Sequence, residues 1–228
     1  MVNIEANFDQ SKKINILIGL FFFIATLEVF AEFYSLKNFI YILKPLLNPI
    51  LILVYLISSK KKNPYFIFAL FFALVANIFF VSKDFSSLLL GSIFFLIFKI
   101  FVIYIVVKSV KVKNYLPVLL GTIPFMFVFL YITSITIDEL GDQFYLYLVQ
   151  VICICFLGGF SLANFIVDSN RMNYWLMLSA MLSTVIQFVL ILRMYFLPVF
   201  IFQPMAMVLY AFAQFSLYKF VILSEVED

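Results

Sequence analysis

A lysine stands inside an apolar run long enough to cross a membrane. Residues 39–58 read FIYILKPLLNPILILVYLIS, with Lys44 as the single charge. About twenty apolar residues, rising 1.5 Å each, span the hydrocarbon core of a bilayer. A charge facing lipid at that depth costs roughly 3 kcal/mol or more, so Lys44 has to face protein or water. Pro45 follows it directly, and Asn48 and Pro49 stand about one helical turn further on. The rest of the chain must supply surroundings for that ammonium.

Composition agrees with a membrane chain. Of the 228 residues 66% are hydrophobic and only 12% charged, against about 25% charged in soluble domains. No long polar stretch interrupts the sequence, which predicts one membrane domain without a soluble module. The expected division is a polar leader at 1–13, a transmembrane domain at 14–222 and an acidic tail at 223–228. A formal charge of +3, spread over short loops, excludes a nucleic-acid partner. With no His and two Cys, the usual zinc, haem and iron–sulfur ligand sets are missing, and no metal or cofactor is expected. Cys153 and Cys155 lie two apart in an apolar run, so they point to different helix faces and read as packing residues.

Eight apolar runs follow one another. They cover about 14–33, 39–58, 65–81, 85–107, 116–135, 144–166, 174–193 and 198–222. The first is too long for a signal-peptide core and lacks a small-residue cleavage site. The predicted fold is therefore an all-α integral membrane protein, a bundle of about eight transmembrane helices. Pro124 is expected to kink the fifth helix, and Asp138, Glu139 and Asp142 to form an acidic loop around Gly141. Lys12, Lys13, Lys60, Lys61, Lys62, Lys108, Lys111, Lys113, Arg171 and Lys219 all fall on the side of the N-terminus. Lys37, Lys83 and Arg193 fall on the other. That bias predicts cytoplasmic N- and C-termini, and the economical placement is the cytoplasmic (inner) membrane of a bacterium.

Topology assigns depths to the intramembrane polar residues. Glu28, Lys44, Asn77, Gln150, Gln187 and Gln203 fall in the outer halves of six helices, with Arg193 at the outer end of the seventh. Lys99 is the exception, nearer the midplane or the inner half. Groups this expensive in lipid should turn toward one another, which predicts a polar cavity open to the outer leaflet. Three stripes support shared faces: Ala69–Ala73–Asn77, Ser179–Ser183–Gln187 and Gln203–Met207–Tyr210–Gln214. Small-residue stripes are close-packing surfaces of membrane helices. A Glu28–Lys44 ion pair is expected, with Glu32, one turn beyond Glu28, at the interface.

Several segments resemble a known family. Lys44 and Pro45, opening KPLLNPILIL, resemble the KPLTTPLLI-type segment of the YhhN family, the membrane lysoplasmalogenases. ALFFALVANIFFV resembles its ALLFSLLGDVLLL-type helix, and GSIFFLIFKIFVIY its glycine-to-His/Tyr helix. SAMLSTVIQFVLILRMY is similar to the GALLFVLSDSLLALNRF-type motif, and LYAFAQFSLY to the closing YYLAQLLI-type helix. The order is right, and the family also has eight helices.

The resemblance implies hydrolysis of the vinyl ether of a lysoplasmalogen, with a lysophospholipid as membrane partner. It also implies departures. Asn77 and Gln187 stand where the family has aspartates, and Lys99 where it has His. Vinyl-ether hydrolysis requires an acid that protonates carbon and a group that handles the attacking water. Asn77 and Gln187 keep hydrogen-bonding capacity but do not exchange protons near neutral pH. Glu28 is then the candidate acid, and Glu28, Lys44, Asn48, Asn77, Lys99, Gln150, Gln187 and Gln203 are the candidate substrate-binding residues. The first expectation is a lysolipid-binding member without the family's aspartates. The alternatives are a hydrolase using Glu28 and a non-enzymatic transporter or assembly protein. A transporter should show discontinuous helices, which Pro45 and Pro49 permit.

Overall fold

A computed structural model describes residues 2–82, 84–110 and 115–227. Eight α-helices and one short 3₁₀ turn make up its regular structure: α1 (Val2–Phe33), α2 (Lys37–Ser58), α3 (Pro64–Phe79), α4 (Phe85–Ser109), α5 (Leu116–Leu140), α6 (Phe144–Val167), α7 (Arg171–Tyr195) and α8 (Phe202–Glu227). Among the described residues seven of the helices are long and apolar enough to cross a membrane, and α3, at 16 residues, is shorter. The chain is a multi-pass helical membrane bundle.

Short turns make each successive pair an antiparallel hairpin. The hairpins close into a ring: α1 packs on α2 and α8, α2 on α3, α3 on α4, α4 on α6, α6 on α7 and α7 on α8. Helix α5 lies outside this ring, mainly against α6, and a second small core gathers there around Phe129, Ile132, Tyr147 and Ile154. Gly159 lets α5 approach closely, because a Cβ at that position would sit 2.6 Å from the Thr122 backbone. The larger core fills the ring and includes Phe21, Leu51, Tyr55, Phe66, Val106, Leu176 and Phe220.

The helix starts have local causes. Asn63 caps α3 by accepting from the Tyr65 amide at 3.0 Å, with Pro64 in the first turn, where no amide hydrogen is needed. Asp84 caps α4 through the Ser87 amide at 3.0 Å, and Asn170 caps α7 through the Asn173 amide at 2.7 Å.

Some boundaries differ from the sequence reading. The polar leader continues α1 as helix, and the acidic tail continues α8 as far as Glu227. Asp138 and Glu139 lie in the last turn of α5 rather than in a loop; the helix stops at Gly141, whose φ of +47° suits glycine. Helix α2 runs unbroken through Pro45 and Pro49, so it is not a discontinuous helix of the transporter kind. Both cysteines are free, Cys155 buried and Cys153 half-buried. Lys83, Lys111 and Lys113 lie outside the described residues.

Candidate functional site

Three linked groups of polar side chains occupy the ring interior. The first lies toward the end that carries the α1–α2 turn. Lys44 Nζ donates to Glu32 Oε1 at 2.8 Å, and Gln203 Nε2 donates to the same oxygen at 3.2 Å. Arg193 donates in turn to Gln203 Oε1. Lys44 of α2 and Gln203 of α8 thus meet on one α1 carboxylate, and α7 joins them through Gln203.

This corrects the expected Glu28–Lys44 pair: the partner is Glu32, in the last turn of α1, with a side chain only 11% exposed. The reason is directional. Side chains on a helix tilt toward its N-terminus, and α2 begins at the turn end. The ammonium of Lys44 therefore reaches toward that end and meets Glu32, one turn nearer the turn than Glu28.

Glu28 is left fully buried, and neither carboxyl oxygen has a hydrogen-bond partner. It lies within electrostatic range of Lys44, Glu32 and Tyr210. The second group centres on that Tyr210. Its hydroxyl donates to Asn48 Oδ1 and accepts from Asn77 Nδ2, both at 3.1 Å. Asn48 Nδ2 and Gln214 Oε1 are buried without partners. The nitrogen of Gln214 turns to the Tyr210 hydroxyl. Helices α2, α3 and α8 are joined here around one phenol.

The third group centres on Lys99, which is 5% exposed. Its Nζ donates to Gln187 Oε1 at 2.7 Å and to Gln150 Oε1 at 3.3 Å, and lies 5.1 Å from the Phe95 ring centre. Gln150 Nε2 donates to the Ser92 carbonyl at 3.1 Å. Lys99 is thus not apart from the other polar groups, as its position along the sequence suggested. Helix α4 also starts at the turn end, so this lysine too reaches toward it.

A cavity of ≈ 30 Å³ separates the second and third groups, with Lys99, Gln187 and Ser183 on one side and Tyr210 and Gln214 on the other. Asn77 bonds to one wall of it and Gln187 forms part of the opposite wall. Lys44, Asn48 and Gln203 stand away from the lining. Among the described residues the candidate polar side chains thus form three clusters, with this small space between two of them.

The stripes read from sequence behave as packing faces: Ala69 and Ala73 are fully buried, and Ser179 donates to the Ala213 carbonyl of α8 at 3.0 Å. Tyr210 and Gln214 belonged to one of those stripes but were not singled out as site residues. The signal that would have marked them is a phenol and an amide one turn apart on an otherwise apolar helix.

A fourth cluster had no sequence signal. At the opposite end, Glu225 accepts from the Tyr55 hydroxyl at 2.5 Å and from Ser59 Oγ at 2.8 Å. Tyr55 and Ser59 in turn accept the amides of Asn63 and Lys62 at 2.6 and 2.7 Å. This ties the end of α8 to the α2–α3 turn.

A family model, the YhhN family, matches residues 39–221. Comparison with curated proteins and with solved structures gives no match. The matched segment runs from α2 into α8 and leaves α1, with Glu28 and Glu32, outside it.

Proposed function

The chain belongs to the YhhN family, and from that premise we propose that it holds a lysolipid, or a similar single-chain amphiphile, with the polar end of the ligand near Tyr210. The observation that carries this reading is Glu28. A fully buried carboxyl without a hydrogen bond is costly, by about 1–3 kcal/mol for a neutral group and more for an ion. Intramembrane carboxyls of this kind serve a ligand or a proton path. Asn48, bonded to Tyr210, carries a second unpartnered polar atom in Nδ2, so the Tyr210 neighbourhood offers both a carboxyl and an amide donor to a polar headgroup. Ligand-sized sites are usually some 300–1,000 Å³, so an acyl chain enters only as the helices part around the ≈ 30 Å³ space.

A second reading, vinyl-ether hydrolysis, is favoured by the same carboxyl standing near a phenol. In that reaction Glu28 gives its proton to the vinyl carbon β to the ether oxygen, the one that carries the alkyl chain. The π pair becomes the new C–H bond, and the cation is shared between carbon and ether oxygen. Water adds to that carbon and returns a proton to Glu28. The hemiacetal then collapses to a fatty aldehyde and a glycerophospho-alcohol. Asn77 and Gln187 hold hydrogen bonds but take no part in proton transfer.

The two readings separate in one set of preparations. Native mass spectrometry of the purified protein should show one retained lysolipid, displaced on adding a short-chain lysolipid; its absence at saturating lipid ends the binding proposal. Aldehyde release from a lysoplasmalogen is measured alongside. Turnover that falls at least about 100-fold in Glu28→Gln, with folding intact, is the scale of a lost general acid and supports hydrolysis. Binding without turnover, with turnover appearing in Asn77→Asp/Gln187→Asp, leaves the native chain as a binding protein.

A further inference from the structure

The space between Lys99 and Tyr210 is too small for a lipid tail, and its largely apolar wall is interrupted by Lys99, Ser179, Ser183, Gln187, Tyr210 and Gln214. Lys99 carries three donors, of which two are directed at Gln187 and Gln150. Gln214 is 3% exposed, and its Oε1 has no partner within the protein. The hydroxyl of Ser183 lines the same space. Lys99, with a donor to spare, and Gln214, with an unpartnered acceptor, thus line one volume of ≈ 30 Å³, where about 10–15 Å³ holds a water given polar partners.

We infer that this cavity is a built site for one or two water molecules, bridging Lys99 Nζ to Gln214 Oε1 beside the Tyr210 hydroxyl. A bridging water completes the hydrogen bonding of both groups. It also explains how an amide oxygen is kept unpaired by protein in a low-dielectric interior, where an unmet acceptor is most costly. The cavity lining shares Tyr210 and Gln214 with the second cluster but does not include Glu28. If the hydrolytic reading holds, this water is the supply for attack on the oxocarbenium carbon; that role rests on the second reading above, while the site itself does not.

The test is a high-resolution density map of the full-length protein in a lipid environment. The expected result is a water peak within hydrogen-bonding distance of both Lys99 Nζ and Gln214 Oε1. A second measurement is the O–H stretching region of the infrared spectrum, exchanged between H₂¹⁶O and H₂¹⁸O. An isotope-sensitive band from an internal water should be present in the native protein and in Glu28→Gln, and lost in Gln214→Met. A map without that peak, or a band that persists unchanged in Gln214→Met, overturns the site. Neither readout depends on turnover, so a failure here is distinct from a failure to release aldehyde.

Discussion

At the scale of single residues, two lysines illustrate how a charge is kept inside a membrane bundle. Lys44 is ion-paired with Glu32, whereas Lys99 is held by two neutral amide oxygens and the face of Phe95. Breaking a buried pair by removing one partner strands the other charge and typically costs about 3–5 kcal/mol, while replacing both is far less harmful. Lys44→Met should therefore destabilise the protein by about 3 kcal/mol, because Glu32 keeps only the Gln203 amide as donor. Lys44→Met/Glu32→Gln should recover most of that loss. Reversible denaturation in mixed micelles checks it, and a double variant as unstable as the single one would refute the pairing. The sequence marked Lys44 as a residue that needed a partner and put Glu28 and Glu32 within reach, but depth alone pointed to Glu28, whereas the pair formed is with Glu32. The choice depends on the tilt of side chains toward the start of α2, roughly one turn of displacement, which residue spacing along a linear chain does not convey.

At the scale of elements, the helices themselves were legible because each needs about twenty apolar residues, and because turns and charges punctuate them. Their ends were less so. Asp138 and Glu139 read as loop by charge alone, yet backbone hydrogen bonding carries α5 on to the glycine. Helix α4 shows how a polar end is used well. Asp84 accepts the Ser87 amide and its hydroxyl, and these bonds hold the Asp84 carboxyl below its ordinary value of 3.8. A carboxyl depressed in the folded state contributes stability above its unfolded value, and that contribution is lost as pH falls through the folded one. The cap should accordingly be intact at neutral pH and weaken only in strong acid, below pH 3.8. Asp84→Ala should lower the thermal midpoint at pH 7, and the gap to the native protein should close as the pH falls below that value. Asp84→Asn keeps an accepting oxygen, so it should stay near native at pH 7. A gap between native and Asp84→Ala that is constant across the acid range would show that the carboxylate is not the cap.

At the scale of the molecule, closure of the ring places the two ends of the sequence's polar information together. The Glu225 bonds to Tyr55 and Ser59 put the end of α8 beside the α2–α3 turn, and that turn carries Lys60, Lys61 and Lys62, so the basic triplet and the end of α8 share one face of the bundle. This contact joins residues 170 apart in sequence, and nothing local to either segment announces it; charge bias alone had suggested a common side. Helix α3, at 16 residues, is about 24 Å long against a core of about 30 Å, yet its flanks are held by α2 and α4 and it must cross for the ring to close. Basic residues favour the cytoplasmic face, so Lys61→Cys should react with a membrane-impermeant maleimide only when the cytoplasmic face is exposed, in inverted vesicles. Tyr34→Cys, exposed at the α1–α2 end, should react only in intact cells. Native Cys153 and Cys155 lie within α6 and should stay unlabelled in both. Labelling of Lys61→Cys from outside would reverse the orientation. Labelling of both positions from one side would mean that α2 does not cross, and the ring could not then be a transmembrane one.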